Sequence, residues 1–251
     1  MNALPTAAIR RPEDLFPRHL FAMALARTPG DESVLHQLER ELIRDARTKR
    51  RGEFAAARHC ARSALARFGI PYQPILQDRH GAPRWPHGIC GSITHTDGCI
   101  LGVVALDRRV AALGVDVEVR TATFPEKALA PLCRPEEAAE LLGLPSPLLH
   151  LRAFAVFSAK EAIYKAVYGA TGDRLGFQDA RVQLDLPRGL FRAHLRRAAD
   201  LHGRRELTGR VGFNESHVFA AVWWLRERSV LQRSAATEES ALLITESAAV
   251  D

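Results

Sequence analysis

The chain has no CxxC pair, and its four cysteines, Cys60, Cys90, Cys99 and Cys133, have no Cys or His partner at zinc spacing. This excludes a disulfide framework and a structural zinc site, and it predicts reduced, mostly buried thiols. There is no apolar run of membrane-spanning length, and Met1 to Pro12 lacks the charged-then-apolar order of a secretory signal. A cytoplasmic protein with no membrane span is expected. No internal repeat is visible in the sequence.

What is present is ordinary in bulk and uneven in detail. The 251 residues are 47% hydrophobic and 25% charged, enough for one large globular domain or two smaller ones. The formal charge of +6 is concentrated in one segment. From Arg44 to Arg67 there are eight bases (Arg44, Arg47, Lys49, Arg50, Arg51, Arg58, Arg62, Arg67) against Asp45 and Glu53, which leaves 27 bases and 27 acids elsewhere. Such a patch suits an anionic partner, whether phosphate, nucleic acid or an acidic protein; the bland alternative is a solvated helix face.

In chain order, Leu20 to Leu25 is a possible strand, and Val34, Leu35, Leu38, Leu42 and Ile43 have helical spacing. A second helical pattern, Phe54, Ala57, Ala61, Leu65 and Phe68, stops at Gly69 and Pro71, with Arg58 and Arg62 beside its apolar face. Cys90 to His95 and Cys99 to Leu106 read as strands joined by an Asp97-Gly98 hairpin turn. Pro125 to Leu144 is helical, and a long helix from about Pro147 to Tyr168 ends near Gly169 and Gly172. Strands follow at Ala180 to Leu186, Gly189 to Leu195 and Val218 to Leu225, and residues 229–251 are small, polar and acidic, a disordered tail.

Two places combine carboxylates with apolar periodicity. In Gly114 to Val119, alternation puts Val115, Val117 and Val119 on one face and Asp116 and Glu118 together on the other. Paired carboxylates repel, so a bound cation would stabilise them; a half-exposed strand with solvated acids is the alternative. On the long helix, Phe154, Phe157, Glu161, Tyr164 and Tyr168 form one stripe. A glutamate there faces a cleft, holds a cation, is protonated, or pairs with Lys165 one turn on, with Lys160 adjacent.

Three segments in this order, Gly91-Ser92-Ile93-Thr94-His95-Thr96, Gly114-Val115-Asp116-Val117-Glu118 and Phe157 to Ala166, resemble the long class of 4'-phosphopantetheinyl transferases. Lys49 to Phe54, Arg58 to Arg62 and Ala82 to Gly88 resemble its enterobactin synthase component D branch. The likeness spans roughly residues 40–225. It implies an α+β fold: a pseudo-dimer of two similar α/β subdomains, each a small antiparallel sheet packed on a long helix, with coenzyme A in the cleft between them. Residues 1–110 would form the nucleotide-side half, and residues 111–228 the half with the metal site and catalytic helix.

The implied reaction attaches the phosphopantetheine arm of coenzyme A to a serine of an apo acyl, peptidyl or aryl carrier protein. It releases 3',5'-ADP and serves siderophore, polyketide or nonribosomal peptide synthesis. By the same resemblance Asp116, Glu118 and Glu161 would hold Mg2+ (Mn2+ being possible), Glu161 would accept the serine proton, and Lys165 would hold the pyrophosphate. Arg50, Arg58 and His95, with Ser92 adjacent, would meet the nucleotide phosphates, and Asp116 and Lys165 would also contact the cofactor. Lys160 would either line the cleft or only solvate the helix. Gln77 stands where several relatives carry lysine. A monomer is expected. The rival is a basic nucleic-acid-binding protein without catalytic activity, suggested by the basic segment and a sequence pI of about 9.5; the chain lacks a recognition motif for it.

Overall fold

A computed structural model describes residues 6–196 and 204–226; the tail expected at 229–251 lies outside the described residues. Among the described residues eight strands form two antiparallel sheets. β1 (Phe21–Ala26), β2 (Ile89–Thr96) and β3 (Cys99–Leu106) make the first, in the order β1-β3-β2. β4 (Val110–Val119), β5 (Ala180–Asp185), β6 (Leu190–Leu195), β7 (Glu206–Phe213) and β8 (His217–Leu225) make the second, in the order β4-β8-β7-β6-β5. The helices are α1 (Gln37–Glu41), α2 (Thr48–Ala66), α3 (Leu129–Leu132), α4 (Pro135–Leu142) and α5 (Ser146–Thr171). This is the α+β architecture expected.

The Asp97-Gly98 turn closes β2 onto β3 as anticipated, with Gly98 at φ +75°, a value that favours glycine. β7 is the strand that sequence patterning misses. Gly209 and Gly212 dilute its alternation, yet a side chain at Gly209 would meet the Phe191 ring and the Ala221 carbonyl, so glycine is what fits. Val34 to Ile43 is not one helix. His36 caps α1, its Nδ1 accepting from Leu38 N at 3.1 Å while Glu39 accepts from His36 N at 2.9 Å. That break buries Leu35 and Ile43 and leaves Leu38 and Leu42 exposed.

Each sheet carries one long helix at backbone contact. A Cβ at Gly102 of β3 would lie 2.7 Å from Ala61 N of α2, and one at Gly114 of β4 would lie 2.7 Å from Ala166 N of α5. Small residues on both sides permit the approach. One apolar cluster joins β1 and β3 (Phe21, Met23, Leu101, Val103) to β4 and β8 (Val115, Val117, Phe219, Ala221), so both sheets share a core.

The two halves also repeat one hydrogen-bonded hub, at an offset of 98 positions for all but one backbone donor, Ile75 in the first half and Val182 in the second. Glu39 is buried, accepts from Ile75 N at 2.8 Å and is gripped by Arg62 at 2.7 Å, while Arg62 also donates to Val34 O at 2.6 Å. Glu137 is buried, accepts from Val182 N at 2.8 Å and pairs with Lys160 at 2.8 Å, while Lys160 also donates to Leu132 O at 2.9 Å. His36 N and Arg134 N complete the match, each bonding its glutamate at 2.9 Å. Thr48 and Ser146, the first residues of α2 and α5, keep the same offset. The duplication is therefore real, although only Glu39/Glu137 and a few buried alanines coincide in sequence.

Candidate active site

β4 is where the halves meet. β2 lies beside it without a backbone ladder among the described residues; instead Val115 N donates to Ser92 Oγ at 3.1 Å and Val117 N to Thr94 Oγ1 at 3.2 Å. Two hydroxyls of β2 thus replace a strand ladder and join the sheets side by side. Ser92 is consequently buried, its Oγ accepting from β4.

The alternation of β4 is as expected: Val115 and Val117 enter the shared core, and Asp116 and Glu118 face the other way, toward α5. Asp116 is only 3% exposed. Its Oδ1 accepts from Thr94 Oγ1 at 3.2 Å and from Lys165 Nζ at 2.6 Å, and Lys165 also donates to Val115 O at 3.1 Å. Asp116 Oδ2 is buried without a partner. Such an orphaned acceptor costs about 1–3 kcal/mol, so it marks a place for a cation or donor. Ser158 Oγ donates to Asp116 O at 3.1 Å and ties α5 to β4 beside the carboxylate.

Glu118 and Glu161 complete the acidic group. Burial, then the charges of Asp116 and Glu161, push Glu118 up to about 7, with Lys165 opposing. Burial raises Glu161 as well; Lys165 pulls it down and Asp116 adds to the rise. Carboxyls held this way are poised to take a proton or a hard cation. The donor set is all oxygen and suits Mg2+. Among the described residues no three His, Cys, Asp or Glu side chains are already gathered as a metal cage. Lys165, lying on Asp116, supplies the neutralising charge.

The stripe of α5 divides. Phe154 packs edge-on against Phe124, ring centres 5.0 Å apart, whereas Tyr164 and Tyr168 stack at 6.0 Å. These two tyrosines, Lys165, Ser92 and the 78–85 loop line a cavity of about 590 Å³ between the halves. The Tyr168 hydroxyl bonds Asp78 across it, and that bond comes first among the causes that lower Asp78 and raise Tyr168. Gln77 is turned into its own loop, Nε2 donating to Gly81 O at 2.9 Å. Lys160, Glu161, Ile163, Tyr164 and Phe177 border a smaller cavity of about 220 Å³, with the Lys160 ammonium bonded to Glu137.

On the first half, Arg50 Nη1 contacts His95 Nε2, and Glu53 lies 3.7 Å from His95 Nδ1. Burial and then Arg50 lower the His95 pKa. The basic segment is not the free strip that the sequence suggested. Lys49 pairs with Asp97 at 2.8 Å, Arg51 with Glu32 at 3.0 Å and Arg62 with Glu39 at 2.7 Å. The Arg58 side chain is 4% exposed, Nε donating to Ile75 O at 2.8 Å and the guanidinium lying over Phe54. Burial lowers it to about 10, and its Nη2 has no partner. The solvated-face reading of Arg58 and Arg62 therefore fails.

Lys160 is not with the acidic group. Only 2% exposed, it neither solvates α5 nor offers a free ammonium, because Glu137 and Leu132 O take it. Sequence reasoning gave no role to Glu137, Thr94, Ser158 or Tyr168, although Thr94 shares a strand face with Ser92 at two-residue spacing and Tyr168 lies on the stripe of Glu161.

The cysteines are free, with Cys60, Cys99 and Cys133 buried and Cys90 half-buried, and burial raises all four thiols. No helix among the described residues is long and apolar enough to cross a membrane.

Residues 38–105 match the family model described as "4'-phosphopantetheinyl transferase N-terminal domain", and residues 112–222 match that of the "4'-phosphopantetheinyl transferase superfamily". The chain belongs to the 4'-phosphopantetheinyl transferase superfamily. It is 39% identical over 189 residues to 4'-phosphopantetheinyl transferase Svp of Streptomyces mobaraensis, covering 74% of this chain and 76% of that one. It is 37% identical over 173 residues to 4'-phosphopantetheinyl transferase PptT of Mycobacterium tuberculosis, covering 69% and 73%. Enterobactin synthase component D of Salmonella typhi is 33% identical over 143 residues, covering 56% and 57%. As a member of this transferase family, the chain is an enzyme of phosphopantetheine transfer to carrier proteins, and the acidic group facing Lys165 lies within the part matched to the superfamily.

Proposed function

We propose that this chain transfers the 4'-phosphopantetheine arm of coenzyme A to a serine of an apo acyl, peptidyl or aryl carrier protein, releasing 3',5'-ADP. The carrier would belong to a siderophore, polyketide or nonribosomal peptide pathway. The observation that carries the reading is the group of Asp116, Glu118 and Glu161 facing Lys165 where the two halves meet. In our reading residues 1–110 hold the nucleotide side and residues 111–228 carry the chemistry.

Arg50 and His95 contact the nucleotide phosphates, and the unpartnered Nη2 of Arg58 adds a buried donor from behind. Asp116, Glu118 and Glu161 are the residues that would hold Mg2+; the orphaned Asp116 Oδ2 and the raised Glu118 support that fit. When bound, such a cation neutralises the pyrophosphate and the charge growing on the leaving group. Lys165 exchanges its bond to Asp116 for a phosphate oxygen, stabilising the departing 3',5'-ADP. Glu161, whose pKa burial has raised, accepts the serine proton directly or through a water.

Labelled coenzyme A with a panel of apo carrier proteins tests this. Labelled holo carrier is expected only with magnesium or manganese present, and Glu161→Gln should remove nearly all turnover while the protein stays folded. Undiminished transfer in excess chelator would sink the metal assignment, and a near-normal rate in E161Q would displace the base.

A further inference from the structure

Lys160 directly precedes Glu161, yet its charge is spent inside the protein. One carboxylate, Glu137, gathers the Arg134 N–H at the start of α4, the Val182 N–H of β5 and the Lys160 ammonium of α5, and that ammonium also reaches the last turn of α3 at Leu132 O. Four elements are referenced to one point, and Glu161 begins the next step of the helix. The first half builds the same hub from Glu39, Arg62, Ile75 N and Val34 O, with Ser63 where the second half has Glu161. A hub that recurs where no catalytic carboxylate follows is an anchor of the fold, and in the second half the anchored turn carries the base.

We infer that Lys160 is a positioning residue: through Glu137 and Leu132 O it fixes the turn of α5 that presents Glu161, and it does not bind the cofactor. This rests on the functional reading above. Its physical basis is that reacting groups tolerate little displacement, a shift of about 1 Å costing on the order of 100-fold. Because Asp116 and Glu118 come from β4 and Glu161 from α5, their mutual geometry depends on how α5 is seated.

The test compares wild type, Lys160→Met, Glu137→Gln and the double variant by kcat and KM for transfer, by calorimetric Kd for coenzyme A, and by thermal unfolding. K160M is expected to lose kcat by roughly 10- to 100-fold while KM and Kd for coenzyme A stay within about twofold. E137Q should fall in the same direction, and the double variant should be no worse than the more impaired single one. If K160M is unfolded at the assay temperature, the double variant Glu137→Gln with Lys160→Met removes both buried charges while keeping a side-chain acceptor for the backbone N–H groups, and should give a folded protein with the same kcat loss. A tenfold rise in the coenzyme A Kd with kcat intact would show that the ammonium touches the cofactor. An active wild type with K160M unaltered overturns this inference alone, whereas a wild type that transfers to no carrier overturns the functional reading and this one with it.

Discussion

Neutralising Glu118 tests the electrostatics of the acidic group without an assay of turnover. In the folded chain burial, Asp116 and Glu161 hold this carboxyl near pKa 7, against 4.5 for an unperturbed group. The folded state binds the proton more tightly, so the stabilisation is fully present below pH 4.5 and is lost as the pH rises through about 7. The difference of 2.5 pH units, at about 1.4 kcal/mol each, gives an upper bound of about 3.5 kcal/mol. Glu118 is half-buried, so water screens part of this and about 1.5 kcal/mol remains. In a chain of this size 1 kcal/mol moves Tm by about 2–4 °C. The Tm of Glu118→Gln minus that of wild type should therefore grow by about 3–6 °C between pH 5 and pH 8, measured by calorimetry without divalent cations. A difference that stays constant with pH would refute the account of why Glu118 is raised. Added magnesium at pH 8 should recover more of the wild type's loss than the variant's.

Two further outcomes follow from single contacts. Lys165→Met leaves Asp116 buried with only Thr94 against it and should cost about 3 kcal/mol in denaturant unfolding. Adding Asp116→Asn should return most of that stability but not activity, and a double variant as unstable as the single would show that the pair is not what stabilises the site. Gly114→Ala places a methyl group against the Ala162 carbonyl and the Ala166 N–H, so α5 must lift from β4. Beyond a loss of at least about 1–3 kcal/mol, transfer should fall further than in a variant equally destabilised elsewhere.

Reading the site from sequence succeeded where one local period carried the information. The period of two in β4 was enough to pair Asp116 with Glu118 opposite the valines, and the three-and-four spacing on α5 was enough to place Glu161 one turn from Lys165. It failed where charge met distant backbone. Arg58 and Arg62 look like a solvated face because nothing near them in sequence accepts their hydrogen bonds; their acceptors are Ile75 O, Val34 O and Glu39. The 98-position duplication was equally hidden, since two halves can keep one hub with Arg in one and Lys in the other.

The sequence by itself determined most of the elements and where the charged groups stand on them: a valine strand bearing two acids, a long helix bearing an acid and a base, and the ordered motifs that resemble a transferase family. Tertiary structure alone decided which charges are available. It set α5 on β4 through Gly114, left Asp116 Oδ2 without a partner and raised Glu118 by burial and then by the charges of Asp116 and Glu161. It also withdrew Lys160 into an ion pair with Glu137. The physical reason is that burial and partner geometry set the state of an ionisable group, and both depend on residues brought together from distant positions in the chain.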